Sequence, residues 1–146
     1  ILLYYTGASR SSAAIIDEQK ANTTKGNRQA IEAMHRIKQS ALYMKSALLT
    51  GNITRFTEIL GKAWEDKKKM AAPITNSRIE EVFRIAIEAG ATTGKVSGAG
   101  GGGFVIFTVE PTRRVQVVRA LNQLNGRIVD FQFSEGGTHG WKIYNT

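Results

Sequence analysis

The sequence feature that most constrains the fold is a run of glycines between two apolar segments. Residues 98–103 read GAGGGG, and they separate residues 95–97 from the apolar run at 104–109. Valine, isoleucine and phenylalanine dominate that run, which is typical of a buried β-strand. A tight hairpin turn needs only one or two glycines, and each glycine loses much backbone freedom on folding. The excess predicts a loop whose bare backbone is approached closely by another group.

The N–H groups of such a loop suit an anion such as phosphate. Gly98, Gly100 and Gly103 match G-x-G-x-x-G, but in the dinucleotide fingerprint a helix follows, whereas a strand follows here. A Walker A loop ends in Gly-Lys-Ser/Thr, and here Phe104 follows the last glycine. A flexible hairpin tip is the structural alternative. The residues that we assign to a phosphate or nucleotide loop are Ser97, Gly98, Ala99, Gly100, Gly101, Gly102 and Gly103.

Four segments of the chain carry a resemblance to a known family. Residues 95–104, KVSGAGGGGF, closely resemble the third conserved motif of the GHMP kinases, a family of small-molecule kinases. The form with four glycines is most similar to the sugar kinases that act on heptose phosphate. Residues 5–12, 64–76 and 133–141 resemble the start, middle and end of the C-terminal half in that subfamily. The resemblance therefore covers nearly the whole chain.

The resemblance implies a reaction and a position within a longer protein. The reaction would transfer the γ-phosphoryl group of ATP, with Mg²⁺, to a hydroxyl of a sugar phosphate. Residues 1–146 would form the C-terminal domain and would contact their own N-terminal domain. In this family the main ATP loop, the acidic catalytic group and the adenine site belong to the N-terminal half, and none of those patterns appears here. We therefore assign no catalytic residue to this chain and expect the chain alone to be inactive.

A second hypothesis comes from a different class of protein. A stand-alone ferredoxin-like module could bind a small ligand or a partner without catalysis. The two hypotheses differ in whether the open reading frame runs upstream of Ile1 and encodes the glycine- and serine-rich ATP loop.

Candidate substrate residues lie in the turn after the first strand and at the end of the third helix. A strand-to-helix turn presents backbone N–H groups to an anion, and Arg10 in that turn could contact phosphate through two hydrogen bonds. A solvated surface arginine explains Arg10 equally well. On the resemblance we assign Thr6, Gly7, Arg10 and Lys67 to the sugar-phosphate side. Lys67 and Lys68 remain open to the simpler interpretation, complementation of the helix dipole, which we favour for Lys69.

Composition narrows the classes of partner. The net charge of +8 and the pI near 10.0 suit small phosphorylated ligands. Nucleic acid is disfavoured because the basic residues are dispersed and are not interleaved with aromatic residues. The absence of cysteine excludes a thiolate metal site and disulfides, and the distant His35 and His139 do not suggest a metal site.

The expected location is the cytoplasm, without a membrane partner. No apolar run approaches the length of a membrane span, and no signal peptide is recognised at Ile1. The sequence leaves the oligomeric state open, including a homo-oligomer.

The pattern of segments predicts an α+β fold. Several consecutive helices beside a few strands favour a small, mostly antiparallel sheet with helices packed on one side. A ferredoxin-like arrangement fits this order, and it is also the C-terminal domain fold that the GHMP resemblance implies. Predicted strands are 1–6, a short strand that starts near 92 and ends at 95–97, 104–109, 127–133 and 141–144. Predicted helices are 10–19, 27–50, 53–70, 78–89 and 112–124.

Helical periodicity also predicts which side chains are buried. It places Ile16, Met34, Met44 and Ile53 in the core. It places Asp66 on a face exposed to solvent.

Overall fold

The computed structural model describes residues 1–8, 11–138, 140 and 141. Within these residues the chain forms five α-helices and one four-stranded sheet, with two single turns of 3₁₀-helix at Ala72–Ile74 and Pro111–Arg113. The helices are α1 (Ser12–Thr24), α2 (Arg28–Leu49), α3 (Ile53–Lys68), α4 (Ser77–Glu88) and α5 (Arg114–Leu121). The strands are β1 (Leu2–Tyr5), β2 (Ala91–Val96), β3 (Phe104–Val109) and β4 (Arg127–Val129).

The sheet has the strand order β2-β3-β1-β4, and every neighbouring pair is antiparallel. The first strand therefore lies in the interior of the sheet, between β3 and β4. Leu3 pairs with Ile106 on one side and with Val129 on the other. The expected α+β fold with an antiparallel sheet is confirmed.

One face of the sheet forms the core because side chains alternate along a strand. Leu2 and Tyr4 on β1 point to the same side as Val105 and Phe107 on β3, and all four are almost completely buried. Helices α4 and α5 contribute the opposing apolar side chains of this core, namely Ile79, Val82, Ala86, Val117 and Leu121.

Three aromatic rings connect α3, α4 and the sheet. Trp64 stacks on Phe83 with ring centroids 5.4 Å apart. Phe83 meets Phe107 edge-on at 5.2 Å. Such contacts contribute about 1 kcal/mol each beyond the buried area, so α3 is fixed relative to β3 through α4.

Asparagine side chains determine where three helices begin. Asn27, Asn52 and Asn76 each precede a helix, and each side-chain oxygen accepts the N–H of the third residue onward, at 2.9–3.1 Å. This is the N-cap hydrogen bond that the start of a helix otherwise lacks. The three asparagines therefore fix the first residues of α2, α3 and α4.

The predicted burial of several side chains on α1–α3 is wrong. Ile16 is 40% exposed, and Ile15 is buried in its place. Met34 is 41% exposed and Ile53 is 61% exposed. The physical reason on α2 is that its buried face consists of alanines, which allow α3 to approach closely, whereas the larger side chains lie beside that face. The buried residues of α2 are Ala30, Ala33 and Ala47.

Two predicted element boundaries also differ from the structure. Helix α1 begins at Ser12 and continues to Thr24, because Ser11 has an extended backbone and the polar segment after residue 19 stays helical. Strand β4 ends at Val129, and both Phe131 and Phe133 beyond it are exposed. The final predicted strand, 141–144, falls almost entirely outside the described residues. In the described part of the chain, no helix combines the length and the apolar sequence that crossing a membrane requires.

Asp66 corrects another expectation, because it is only 8% exposed. Its Oδ1 atom accepts hydrogen bonds from Arg36 Nε at 2.8 Å and from Lys69 Nζ at 3.1 Å. Burial raises the pKa of Asp66, but the hydrogen bonds and charges of Arg36 and Lys69 outweigh it and hold that pKa below its ordinary value. The carboxylate therefore joins α2 to α3.

Replacing Asp66 with asparagine should destabilise the fold. We expect a loss of about 1–2 kcal/mol in the free energy of unfolding at neutral pH, because the acceptor of the Arg36 and Lys69 hydrogen bonds loses its negative charge. Because the folded pKa lies below the unfolded pKa, this stabilisation is present above the unfolded pKa and disappears as the pH falls through the folded pKa. Urea unfolding of both proteins across an acid pH series measures the difference.

The matched control is Glu58→Gln, which removes a carboxylate from the exposed pair between Arg55 and Glu58 on α3. Exposed pairs contribute little, so this change should cost less than about 0.5 kcal/mol. Equal losses for the two variants would contradict a stabilising role for the buried carboxylate.

Candidate functional site

The glycine loop, defined here as residues 98–103, follows a path that strongly favours glycine. All its glycines have positive φ, and the values run from +75° at Gly101 to +153° at Gly102. Residues with a Cβ atom rarely adopt such angles. The glycine run is therefore required by the backbone path between β2 and β3.

Backbone hydrogen bonds attach the glycine loop to two other segments. The Gly101 N–H donates to the Ile74 carbonyl at 2.8 Å, and the Gly103 N–H donates to the Ala8 carbonyl at 2.7 Å. The side-chain amide of Asn76 donates to the Gly101 carbonyl at 3.1 Å. Because Asn76 also caps α4, the start of that helix and the loop are held by one side chain.

Part of the loop is approached by the chain itself. A Cβ atom on Gly100 would lie 2.7 Å from the Ile74 carbonyl oxygen and 2.8 Å from its Cα atom. Gly101 is buried. By contrast, a Cβ atom on Gly98 or Gly103 would meet no described atom within 4 Å. The expected close approach to bare backbone is thus made at Gly100 by Ile74.

Thr6 and Gly7 lie beside this loop, and Thr6 is hydrogen-bonded to it. Thr6 is 1% exposed, and its N–H donates to the Gly103 carbonyl at 2.9 Å. Its hydroxyl lies 3.0 Å from the same carbonyl oxygen and 3.1 Å from that of Ala8. The Thr6 side chain therefore holds the loop and offers no surface to a ligand.

Gly7 is exposed, with φ +79°, and a Cβ atom there would lie 2.3 Å from the Asn125 carbonyl oxygen. Its conformation thus keeps the turn after β1 close to the segment before β4. Arg10, the remaining predicted residue of this turn, falls outside the described residues.

Lys67 reaches the glycine loop from the end of α3. Its ammonium group donates to the Gly98 carbonyl, and the side chain is half-buried. Burial lowers the pKa of Lys67, and the charge of Lys95 on β2 lowers it further. The neighbouring lysines instead meet carboxylates, Lys68 at Glu65 and Lys69 at Asp66. The structure thus distinguishes Lys67 from the rest of the lysine run.

The loop also offers backbone donors. Among the described residues, no acceptor is found for the N–H groups of Gly98, Ala99, Gly100 and Gly102. Two lysine side chains stand next to these donors, since Lys95 lies on the strand that enters the loop. Backbone N–H groups without an acceptor and nearby cations are the kinds of group that can bind an anion.

Sequence reasoning missed the groups that hold the loop. Ile74 and Asn76 fall within the resemblance at 64–76, but their contacts with the loop were not predicted. The role of Ala8 had no signal, because a backbone carbonyl leaves no mark in the sequence. Lys95 was named only as the end of a strand. The described residues contain no group of three or more histidines or carboxylates placed to hold a metal ion.

A large cavity lies elsewhere, between α3 and the edge of the sheet. Its volume is about 1330 Å³, and its walls include Trp64, Thr93 and Val109. No residue of the glycine loop lines it. The glycine loop therefore lies away from this cavity.

Comparison with known proteins identifies the family. The profile of the GHMP kinase C-terminal family matches residues 44–126, more than half of the chain. The chain belongs to the GHMP kinase family. The resemblance found in the glycine loop and the flanking segments is therefore confirmed.

Individual relatives of this GHMP kinase chain are sugar kinases by name. It is 38% identical to the D-glycero-alpha-D-manno-heptose 7-phosphate kinase of Campylobacter jejuni, over 97% of this chain and 41% of that protein. It is 28% identical to the L-fucokinase/L-fucose-1-P guanylyltransferase of Bacteroides fragilis, over 93% of this chain and 15% of that protein.

A solved structure agrees with this assignment. The crystal structure of a D-glycero-D-manno-heptose 1-phosphate kinase from Bacteroides thetaiotaomicron is 44% identical and superposes with a TM-score of 0.63. The match covers 99% of this chain and 36% of that structure. The GHMP kinase chain thus spans about two fifths, or less, of the length of these relatives.

The glycines of the loop should respond differently to alanine. Gly100→Ala should lower the free energy of unfolding by about 3 kcal/mol or more, since it combines a strained φ with a clash against the Ile74 backbone. Gly98→Ala carries the strain alone and should cost about 1 kcal/mol. Thermal and urea unfolding of the two variants measure the gap, and equal costs would show that Ile74 does not pack against the loop as described.

Proposed function

We propose that this chain forms the C-terminal part of an ATP-dependent sugar kinase, which transfers the γ-phosphoryl group to a hydroxyl of a heptose phosphate. Membership of the GHMP kinase family supports a small-molecule kinase. The names of the two heptose phosphate kinases support the acceptor. Within the structure, the observation that carries the proposal is the glycine loop, with N–H donors and lysines arranged around it.

The loop's contribution follows from the electrostatics of phosphoryl transfer. The transferring group carries negative charge on its equatorial oxygens, so catalysis depends on positioning and on charge stabilisation. The N–H groups of Gly98, Ala99, Gly100 and Gly102 are held in place by the hydrogen bonds that anchor the loop, so they need no reorganisation to meet that charge. In the proposal these donors line the phosphate side of the cleft together with Ser97.

The turn after β1 supplies the sugar-phosphate side in this proposal. Thr6 acts through the Gly103 carbonyl, which it holds, and Gly7 lets the exposed backbone turn beside the loop. Arg10 is retained as a candidate for the phosphate of the sugar. Lys67 is assigned to the same side, and it also contacts the glycine loop through its hydrogen bond to the Gly98 carbonyl.

The residues of this chain fit the phosphates of ATP but not its magnesium. The loop donors suit phosphate oxygens, whereas the described residues include no cluster of carboxylates that would hold Mg²⁺. We therefore propose that the magnesium ligands, the adenine site, the main ATP loop and the catalytic base lie in an N-terminal domain that packs against this one. A ferredoxin-like binding module without catalysis is not favoured, because the named relatives are kinases. Use of ATP makes the cytoplasm the expected location.

The proposal predicts a division of activity. The 146-residue chain alone should transfer no phosphoryl group above background, because the main ATP loop is not part of it. The longer protein that contains it should phosphorylate a heptose phosphate in the presence of ATP and Mg²⁺. A coupled assay of ADP release, with heptose 7-phosphate, heptose 1-phosphate, L-fucose and galactose as acceptors, measures both proteins.

Omission of the sugar from the same assay controls for plain ATP hydrolysis. Turnover by the isolated chain would show that residues 1–146 already contain a complete active site. Failure of the longer protein with every acceptor would contradict the sugar kinase assignment itself.

A further inference from the structure

Lys67 and Lys95 form a pair of cations for which the described residues provide no carboxylate. Lys68 pairs with Glu65 at 2.8 Å and with Glu80 at 3.6 Å, and Lys69 pairs with Asp66 at 3.1 Å. Neither Lys67 nor Lys95 makes an ion pair within the part of the chain that the structure describes. A half-buried lysine stem is common because the ammonium group can still reach water. The unusual feature here is that two neighbouring lysines have no described counterion.

The surroundings of the pair add further donors for an anion. Lys67 donates one of its three N–H groups to the Gly98 carbonyl, and the other two can donate to another acceptor. The N–H groups of Gly98 and Ala99 follow Lys95 along the chain by only a few residues, and no described group accepts from them. Burial lowers the pKa of Lys67, and the positive charge of Lys95 lowers it further, so the two ammonium groups repel each other. A bound anion would remove that repulsion.

We propose that Lys67 and Lys95 together bind a phosphoryl group at the point where β2 enters the glycine loop, with the Gly98 and Ala99 amides as additional donors. A phosphoryl group is the matching ligand because it carries close to two negative charges and three acceptor oxygens. Lys67 also fixes the loop through the Gly98 carbonyl, so occupancy of the site and the position of the loop are coupled.

This phosphoryl site rests on the proposed kinase function, which determines which molecule would bring the phosphoryl group to it. Two carriers offer the same chemistry, namely the phosphate already present on the sugar and the terminal phosphates of the nucleotide. Recognition by charge and N–H donors does not depend on which carrier brings the group. The experiment therefore begins with inorganic phosphate alone.

Inorganic phosphate is titrated into the ¹⁵N-labelled 146-residue chain, and into the longer protein that contains it, while the amide signals of Gly98 and Ala99 are followed. A few charge-assisted contacts on an accessible surface correspond to a dissociation constant in the millimolar range. Lys67→Met and Lys95→Met should each weaken binding about tenfold or more. Lys95→Met is decisive, since Lys95 makes no hydrogen bond to the loop among the described residues, so its loss should leave the loop in place.

Two further variants control for charge and for folding. Lys62→Met removes an exposed lysine from the same helix and should leave phosphate binding unchanged. Lys67→Arg keeps the charge and should retain binding. Thermal melts of all variants show whether the fold is preserved. Phosphate binding that survives both methionine substitutions, or no response of the loop amides at millimolar phosphate, would overturn the proposal.

Binding of a sugar monophosphate and of tripolyphosphate is then compared between the unchanged protein and the same lysine variants. Loss of binding of a sugar monophosphate in Lys95→Met identifies the sugar's phosphate as the ligand, whereas loss of binding of tripolyphosphate alone identifies the nucleotide. Both results support a phosphoryl site. Phosphate binding can be measured without catalysis, so the two proposals can fail separately. If the longer protein binds phosphate through these lysines but transfers no phosphoryl group, the kinase function is contradicted and the phosphoryl site is not. Normal KM values for both substrates in both lysine variants would contradict this site alone.

Discussion

The hydrogen bond from the Gly101 N–H to the Ile74 carbonyl determines where the glycine loop lies, and the candidate site depends on that position. A loop rich in glycine has many conformations when free, so holding one of them carries a large entropy cost. Bonds at Gly101 and Gly103, supported by Asn76 and Thr6, offset that cost from both sides. Because the loop is fixed in advance, its unused N–H groups can meet an anion without first becoming ordered.

The strand order brings the anchoring groups together. Strand β1 lies beside β3 and runs antiparallel to it, so the end of β1 meets the beginning of β3, where the glycine loop ends. Thr6 therefore contacts Gly103 although 97 positions separate them in the chain. A shift of the β1 register by one residue would turn Tyr4 away from the core and move Thr6 off the loop. The same contacts that bury the core thus also set the geometry of the site.

Local patterns predicted the parts of the fold that depend on local chemistry. The strand, loop and strand from 91 to 109 follow from β-branched residues and glycines, and Asn52 follows from cap preference. Burial on α2 was mispredicted because alanine and methionine both continue an apolar stripe, and only packing against α3 selects the alanines. Asp66 required knowledge of Arg36, which lies 30 positions away. In the candidate site, the sequence singled out Lys67 but not the Gly98 carbonyl that accepts from it, since every residue type carries a backbone carbonyl.

The glycine run by itself is weaker evidence for phosphate binding than its sequence suggests. Positive φ accounts for every glycine of the loop, and contact with Ile74 accounts for the lack of a side chain at Gly100. A loop of this shape would thus need its glycines even if it bound nothing. What the fold leaves unexplained is the positive charge beside the loop. Among the described residues, Lys67 donates to the neutral Gly98 carbonyl, and neither Lys67 nor Lys95 forms an ion pair. The functional assignment of this loop therefore depends on those lysines and on the unused N–H groups beside them.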